Sequence, residues 1–218
     1  MSLRELFAGT DRPGSFAARA RSRRWEELVR TFPAFEDMAV LDLGGTEEFW
    51  QLAPVRPARV TLLNPAAPPT GSDWIETVSG DACDPPSSVA RERFDLVYSN
   101  STIEHVGGHA RRQRFADVVR ASAPRAWVQT PNRYFPVEAH FVLPFGQQLP
   151  VRLRTYAARH WPLRPSGFPA DDREAALAEI LDIELLSRTE LRWYFPDATI
   201  VRERVAGLTK SLVAIRSV

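Results

Sequence analysis

Five short runs of apolar residues, each rich in Val, Leu or Ile, divide the first 130 residues of the chain. They lie at 39–43, 59–63, 75–79, 94–99 and 125–129. Runs of this length are typical of strands that are buried on both faces. Residues 109–122 instead show helical periodicity, with the arginines away from an apolar face that is formed by Phe115, Val118, Val119 and Ser122. Because alternating strands and helices require crossover connections, the pattern predicts an α/β fold with a mainly parallel sheet.

The C-terminal part of the chain carries a helix start and a pair of strands. Ser187 with Glu190 three residues later has the capping-box pattern that opens a helix. Two apolar segments near 199–205 and 210–216 are separated by Gly207, and so short a connection requires an antiparallel pair. The predicted fold is a Rossmann-like, mainly parallel seven-stranded sheet with an antiparallel terminal hairpin and helices on both faces.

Two segments of different composition accompany this pattern. Residues 1–32 are basic and helical in character and are predicted to form an N-terminal lid. Residues 130–170 contain seven of the 18 prolines and many aromatic residues, which makes them too apolar for a flexible linker. We expect this insertion to cap the sheet edge, within a single domain that covers 1–218.

Composition and charge limit the classes of function. A chain of 218 residues is long enough for one well-filled domain, and a net charge of +1 gives no general attraction to nucleic acid. Arginines within 19–24 and 111–114 are expected on solvated helix faces. The single cysteine, Cys83, excludes an internal disulfide. Because the sequence has neither an apolar run near the roughly 20 residues of a membrane span nor the pattern of a signal peptide, we expect a cytoplasmic enzyme that does not bind membranes.

Polar residues and glycines follow two of the predicted strands at the point where each strand ends. After the strand at 39–43, Gly44 and Gly45 allow backbone to approach a ligand closely. The strand at 94–99 brings four polar side chains to the same edge, those of Asn100, Ser101, Glu104 and His105. Ligands of open α/β sheets bind along the carboxyl edge of the strands, so the sequence predicts a ligand site there.

These motifs resemble those of the class I S-adenosylmethionine-dependent methyltransferases, especially small bacterial members of the methyltransferase type 11 kind. Specific motifs carry the resemblance over 37–132. From there to the C-terminus it rests on the order of helices and strands. The terminal hairpin is similar to the family's reversed last strand. VQTPN at 128–132 and FPVEAH at 135–140 are similar to a narrower subfamily. The resemblance implies S-adenosylmethionine as the cofactor.

The resemblance also implies a set of cofactor-binding residues. The glycine-rich loop around Asp42 matches the segment that holds the methionine moiety and ribose, and Asp81 matches the acceptor of the adenine amine. Asn64 stands where the family usually places an acid on the ribose hydroxyls, so it can exchange hydrogen bonds there but brings no charge. Trp25 lies ahead of the first strand, in a helix that is expected to close over the donor. The full set is Trp25, Asp42, Gly44, Gly45, Thr46, Asn64, Asp81, Ala82, Ser99, Asn100 and Ser101.

Three residues are candidates for the chemistry itself. A histidine titrates near neutrality and can take a proton from a hydroxyl or amine acceptor, which suggests His105 and His140. The alternative for both is a histidine that hydrogen-bonds the backbone and shapes the pocket. Asn132 is a candidate for positioning the donor. Because the adjacent residues Glu104 and His105 would point in different helical directions, and no zinc-ligand spacing occurs, we expect no metal.

The function that fits these features is methyl transfer to a small-molecule acceptor. The alternative is an enzyme of the same fold that does not transfer the methyl group. It would cyclise the aminobutyrate chain of the donor to azetidine-2-carboxylate and release methylthioadenosine, inside an aromatic cage that includes Trp25 and Tyr134. A third interpretation, a non-catalytic module that senses the cofactor, is motivated by Asn64. A homodimer paired through the hairpin or the cap is also consistent with the sequence.

Overall fold

A computed structural model of the chain describes residues 16–66, 68–138, 140–165 and 167–217, and for 16–20 it describes the backbone alone. The first 15 residues of the expected lid therefore lie outside the described residues. Within the described ranges, no helix is long and apolar enough to cross a membrane.

A twisted sheet forms the centre of the described structure. Its order is β3-β2-β1-β4-β5-β9-β8, with β9 antiparallel to both of its neighbours and the other pairs parallel. This confirms the predicted fold class, and the predicted strand ends are correct to within two residues. The strands of the described residues are β1 (Ala39–Leu43), β2 (Arg59–Asn64), β3 (Ile75–Ser79), β4 (Leu96–Asn100), β5 (Arg125–Pro131), β6 (Val137–Glu138), β7 (Leu143–Pro144), β8 (Thr199–Val205) and β9 (Leu208–Arg216).

Helices cover both faces of the sheet. On one face α1 (Phe16–Thr31) packs over a core that is rich in aromatic residues, and on the other α4 (His109–Ser122) and α7 (Arg188–Tyr194) pack over a mainly aliphatic core. The predicted capping box is present at the start of α7, where Ser187 and Glu190 each accept a hydrogen bond from the backbone N–H of the other. The helices are α1 (Phe16–Thr31), α2 (Glu47–Gln51), α3 (Ser87–Ala90), α4 (His109–Ser122), α5 (Val151–His160), α6 (Arg173–Asp182) and α7 (Arg188–Tyr194).

Helix α4 has the predicted bounds, but one of its arginines departs from the prediction. Arg112 is buried with Phe115 and Val119 rather than solvated. Its guanidinium donates to the backbone carbonyl of Glu184 at 2.9 Å and forms an ion pair with the carboxylate of the same residue. The expectation that the arginines lie away from the buried face is wrong for Arg112, because this pairing compensates the buried charge.

The insertion at 130–170, called the cap below after its expected role, contributes to a small core separate from the two cores of the sheet. The two-stranded β6–β7 hairpin leads through a 3-10 turn at Gly146–Gln148 into α5. Phe141, Leu143 and Ala158 of this segment pack against Ile180 of α6. The cap therefore extends past residue 170 to the end of α6, which brings Asp182 back towards the carboxyl edge of the sheet.

Candidate functional site

The carboxyl end of β1 holds a buried acid. Asp42 is fully buried, and its Oδ2 accepts a hydrogen bond from Trp50 Nε1 at 2.7 Å. Its Oδ1 has no hydrogen-bond partner among the described residues. Burial raises the pKa of Asp42 to about 7, against the opposing effect of the Trp50 hydrogen bond. Asp42 thus offers a buried acceptor whose ionised form would be stabilised by a cationic partner.

The turn after β1 requires glycine at both of its positions. Gly44 has a φ of +87°, and a Cβ added there would lie 2.3 Å from Thr102 Oγ1. A Cβ on Gly45 would lie 1.7 Å from Asp42 Oδ2. The hydroxyls of Ser99 and Thr102 both donate to the carbonyl of Leu43 at 2.9 Å. The predicted glycine loop is therefore closely packed against the end of β4, and Ser99 acts in that packing.

Asn64 holds the same turn from the side of β2. Its amide nitrogen donates to the carbonyls of Gly44 and Gly45 at 3.4 and 3.2 Å, and its carbonyl accepts from the backbone N–H of Ala66. To bind a ribose hydroxyl, Asn64 would exchange these bonds. Thr46, which comes next after the turn, is the N-cap residue of α2 and makes no side-chain capping bond.

Asp81 is paired with Arg111, an arginine that was expected only to lie on a solvated helix face. Arg111 donates to both carboxylate oxygens of Asp81, at 2.9 and 2.7 Å, and the backbone N–H of Cys83 donates to Oδ1. These bonds lower the pKa of Asp81 despite the opposing effect of its partial burial. The neighbouring Ala82 lies in the aliphatic core. The expected adenine loop is thus closed by an exposed ion pair.

The end of β4 is joined to α1 through an arginine that sequence reasoning missed. Arg24 donates to Asn100 Oδ1 at 2.7 Å and to both carboxylate oxygens of Glu203, also at 2.7 Å. Ser101, with a φ of +57°, donates through its hydroxyl to Gln129 at 3.1 Å. The basic character of α1 was visible in the sequence, but the partners of Arg24 lie 76 and 179 positions away.

Trp25 lies inside the aromatic core rather than at an open surface. Its side chain is only 4% exposed and packs against Phe35, Phe49, Trp50 and Tyr98. The indole Nε1 of Trp25 and the hydroxyl of Tyr98 have no partner among the described residues. The structure therefore places Trp25 on the same side of the sheet as Asp42, in the packing beneath the carboxyl edge of the strands.

The two candidate histidines come together although 35 positions separate them. His105 Nε2 lies 3.1 Å from His140 Nε2, and the rings meet edge to face. His140 Nδ1 lies 2.7 Å from Oε1 of the buried Glu138, and His105 Nδ1 lies 3.5 Å from Asp182 Oδ2. The Glu138 hydrogen bond and charge raise the pKa of His140 against the effect of burial, whereas burial and the nearby His140 lower the pKa of His105.

Glu104 adjoins this histidine pair. It is fully buried, its Oε2 accepts from the Thr130 hydroxyl at 2.9 Å, and its Oε1 has no partner among the described residues. Burial raises the pKa of Glu104 to about 7. Residues 103–105 form a turn rather than a helix, so the premise that helical geometry separates Glu104 from His105 is wrong.

Asn132 makes structural bonds in this arrangement. Its amide nitrogen donates to the carbonyl of Thr209 at 2.9 Å, and its carbonyl accepts from the backbone N–H of Tyr134 at 3.4 Å. Asn132 thereby joins the end of β5 to the terminal hairpin. Tyr134 is 69% exposed.

A cavity of about 340 Å³ lies within the cap, beside Glu138. Its lining combines charged and apolar side chains. Two of the lining residues also have a buried atom without a partner among the described residues, Oε1 of Gln147 and Nε of Arg154. The lining residues are Arg133, Glu138, Phe141, Gln147, Arg154, Ile180, Leu181, Ile183, Glu184 and Leu185.

Solved structures share this architecture at low sequence identity. N-methyltransferase NodS from Bradyrhizobium japonicum, in complex with S-adenosyl-L-homocysteine, is 14% identical with a TM-score of 0.51, covering 97% of this chain and 93% of its own. The N-terminal domain of EvdMO1, crystallised with S-adenosylhomocysteine and D-fucose, is 14% identical with a TM-score of 0.52, covering 95% and 84%.

A third similar structure is a cyclopropane-fatty-acyl-phospholipid synthase-like protein from Lactobacillus casei. It is 13% identical with a TM-score of 0.53, covering 87% of this chain and 73% of its own. No protein-family model matches the sequence, and no curated protein matches it. The chain therefore has the fold of the class I methyltransferases, as the sequence predicted.

Proposed function

We propose that this protein transfers the methyl group of S-adenosylmethionine to a small-molecule acceptor. The observation that carries the proposal is the buried Asp42 beside the Gly44–Gly45 turn, at the carboxyl end of β1. Its Oδ1 is an acceptor without a partner among the described residues, and the ammonium group of the donor supplies that partner. Two proteins of this fold were crystallised with S-adenosylhomocysteine, the product that remains after methyl transfer.

The donor would lie across the carboxyl ends of β1, β2 and β4. Asp42 would bind its ammonium group, and the backbone of the glycine turn would approach its carboxylate. Asn64 and Asp81 would hold the ribose and the adenine amine after exchanging their present partners. Asn100, at the end of β4, would lie beside the sulfur.

The residues of the chain act mainly by orientation. Bound S-adenosylmethionine supplies a methyl group that is already activated by its positive sulfur. Holding an acceptor in line with that group lowers the barrier by roughly 7–11 kcal/mol in favourable cases. The His105–His140 pair lies beyond the end of β4 and takes the proton that a hydroxyl or amine acceptor loses. Burial and the nearby His140 lower the pKa of His105, which favours the neutral imidazole that a base requires.

The cap supports an acceptor of small size. A cavity of about 340 Å³ is in the range that binds small molecules. Glu138 lines this cavity and also binds His140, so one side chain connects the cavity with the histidine pair, although neither histidine lines it. The cavity lining includes the charged side chains of Arg133, Glu138 and Arg154, which suit a polar ligand.

The cyclisation alternative receives less support from the geometry. That reaction needs an aromatic cage around the sulfonium, for which Trp25 and Tyr134 were the candidates. Trp25 is packed into the core at 4% exposure, whereas Tyr134 is 69% exposed on the surface. The indole of Trp25 is therefore buried while the phenol of Tyr134 is exposed. Because a cage requires both rings around one sulfonium, this arrangement supports methyl transfer rather than cyclisation.

Mass spectrometry of the purified protein with S-adenosylmethionine alone tests the proposal first. We expect the donor to bind and to remain unchanged, and S-adenosylhomocysteine to accumulate only when an acceptor is added from a panel of small hydroxyl and amine compounds. Methylthioadenosine above the enzyme-free control, together with azetidine-2-carboxylate, would establish cyclisation instead. No donor binding by calorimetry would overturn both reactions.

A further inference from the structure

Three side chains of the type that binds metal ions converge beyond the end of β4. One carboxylate oxygen of Glu104 and one ring nitrogen each of His105 and His140 lie within 4.8 Å of one another. The two Nε2 atoms are 3.1 Å apart. Two neutral imidazoles satisfy this contact when one ring is the Nε2–H tautomer and donates to the other; when both Nε2 atoms carry lone pairs, a cation must lie between them.

The hydrogen bonds of Glu104 favour a metal ion over a shared proton. One proton shared between the Nε2 atoms satisfies both imidazoles but leaves Glu104 Oε1 without a partner. That oxygen belongs to a fully buried side chain, and leaving it unpaired is costly. A cation bound by His105 Nε2, His140 Nε2 and Glu104 Oε1 satisfies all three atoms.

The outer atoms of the same side chains are held from several elements. Glu138 binds His140 Nδ1 at 2.7 Å and accepts from the backbone N–H groups of His140 and Phe141. Asp182 lies 3.5 Å from His105 Nδ1, and Thr130 donates to Glu104 Oε2 at 2.9 Å. Carboxylates on the outer nitrogens of histidines are the usual support of metal ligands, since they fix the tautomer and orientation of each ring.

We propose that Glu104, His105 and His140 bind a divalent transition-metal ion of the zinc type. Two imidazoles with one carboxylate suit zinc better than magnesium or calcium, which prefer all-oxygen sites. Three protein ligands leave one coordination position for water or for an oxygen or nitrogen of a small molecule. The histidine side chains are 34% and 21% exposed, so an ion has access to the site. This inference goes beyond the proposed function and replaces the expectation of no metal. With an ion bound, His105 is a ligand, and its role as proton acceptor belongs to the metal-free site.

Zinc binding to the full-length protein, stripped with a chelator and titrated against a chromophoric zinc competitor, tests the site. We expect one equivalent of zinc per chain. His105→Ala, His140→Ala and Glu104→Gln should each weaken binding at least 10-fold. Glu138→Gln, which leaves the ligands in place and removes one support, should weaken it by about 10- to 100-fold. His160→Ala is the matched control, because His160 is exposed at the end of α5 and should change nothing.

A melting experiment guards against variants that fail to fold. Zinc should raise the melting temperature of the wild-type protein and of His160→Ala, but not that of His140→Ala. Replacing zinc by cobalt should give visible absorption bands that disappear in His140→Ala. A wild-type protein that binds no zinc, or a His140→Ala variant that binds it as tightly as wild type, would overturn the proposal.

Calorimetry with S-adenosylmethionine on the stripped protein separates this proposal from the proposed function. The donor site is formed by Asp42 and the glycine turn rather than by the zinc ligands. Donor binding without zinc binding would leave methyl transfer standing and assign a shared proton to the histidine pair. Zinc binding without donor binding would leave the metal site standing alone.

Discussion

The carboxylate of Asp42 occupies the space that a Cβ on Gly45 would fill, with Oδ2 only 1.7 Å from the ideal Cβ position. The same oxygen accepts the hydrogen bond from Trp50 Nε1. A side chain at residue 45 would therefore displace Asp42 and break that bond. The position of the Asp42 carboxylate thus depends on the absence of a side chain at Gly45.

Gly45→Ala should accordingly destabilise the protein by about 1–3 kcal/mol, the usual cost of overpacking a core, and weaken donor binding. Chemical denaturation and calorimetry measure the two effects. Gly71→Ala is the matched control, since a Cβ at residue 71 meets no atom within 4 Å. Equal stability of the two variants would show that the turn adapts without moving Asp42.

Asp42→Asn should change how the free energy of unfolding depends on pH. The pKa of Asp42 is raised from 3.8 to about 7 in the folded protein. Between these two pH values the folded state therefore binds more protons than the unfolded state. Its contribution to stability is fully present below about pH 4 and is lost as the pH rises through about 7, by about 4 kcal/mol at most.

The measurement is the difference in unfolding free energy between Asp42→Asn and wild type, obtained by urea denaturation at pH 5 and pH 8. We expect the variant to gain stability relative to wild type at the higher pH, since the amide carries no buried charge. Groups common to both proteins, such as Glu104, cancel in this difference. A difference that is independent of pH would contradict the raised pKa.

The ion pair between Arg24 and Glu203 should fasten α1 to the edge strand β8. Arg24→Ala and Glu203→Gln should each cost roughly 1–3 kcal/mol, because the pair is mostly buried and hydrogen-bonded through both oxygens. The double variant should cost much less than the sum of the two. Additive effects in this double-mutant cycle would show that the two side chains act independently.

Asp81 and Arg111 should have opposite effects on donor binding. Asp81→Ala removes the proposed acceptor of the adenine amine and should raise the Kd for S-adenosylmethionine. Arg111→Ala removes the competitor that now occupies both oxygens of Asp81, so it should leave the Kd unchanged or lower it. If calorimetry shows that both variants weaken donor binding equally, the ion pair stabilises the loop and Asp81 does not bind the adenine amine.

His105→Ala should lower turnover at saturating donor much more than it weakens donor binding. The loss expected for a general acid–base residue is about 10²- to 10⁴-fold in kcat. Steady-state assays with the acceptor found in the screen, together with calorimetry for the donor, measure both quantities. His160→Ala serves as the control with a surface histidine. Unchanged turnover in His105→Ala would remove this residue from the chemistry.

The seven strands of the sheet, the helix at 109–122, the capping box before α7 and the terminal hairpin could be predicted from the sequence, whereas the short strands β6 and β7 were not predicted. These features depend on local periodicity and on turn residues, which neighbouring positions encode directly. The glycine turn after β1 was also predictable, because a tight turn at a strand end is a local requirement. The carboxyl edge followed from the order of strands and helices.

The partners of the polar side chains at that edge become visible only in the folded structure. His105 meets His140 because the cap folds back over the end of β4, and Arg24 reaches Asn100 because α1 crosses the sheet. Such pairs lie tens of residues apart, so no local pattern records them. Whether a residue faces the core or the solvent depends on the periodicity of a few neighbouring positions, which the sequence shows directly. Whether two distant polar side chains come into contact depends on how the helices and strands pack against one another.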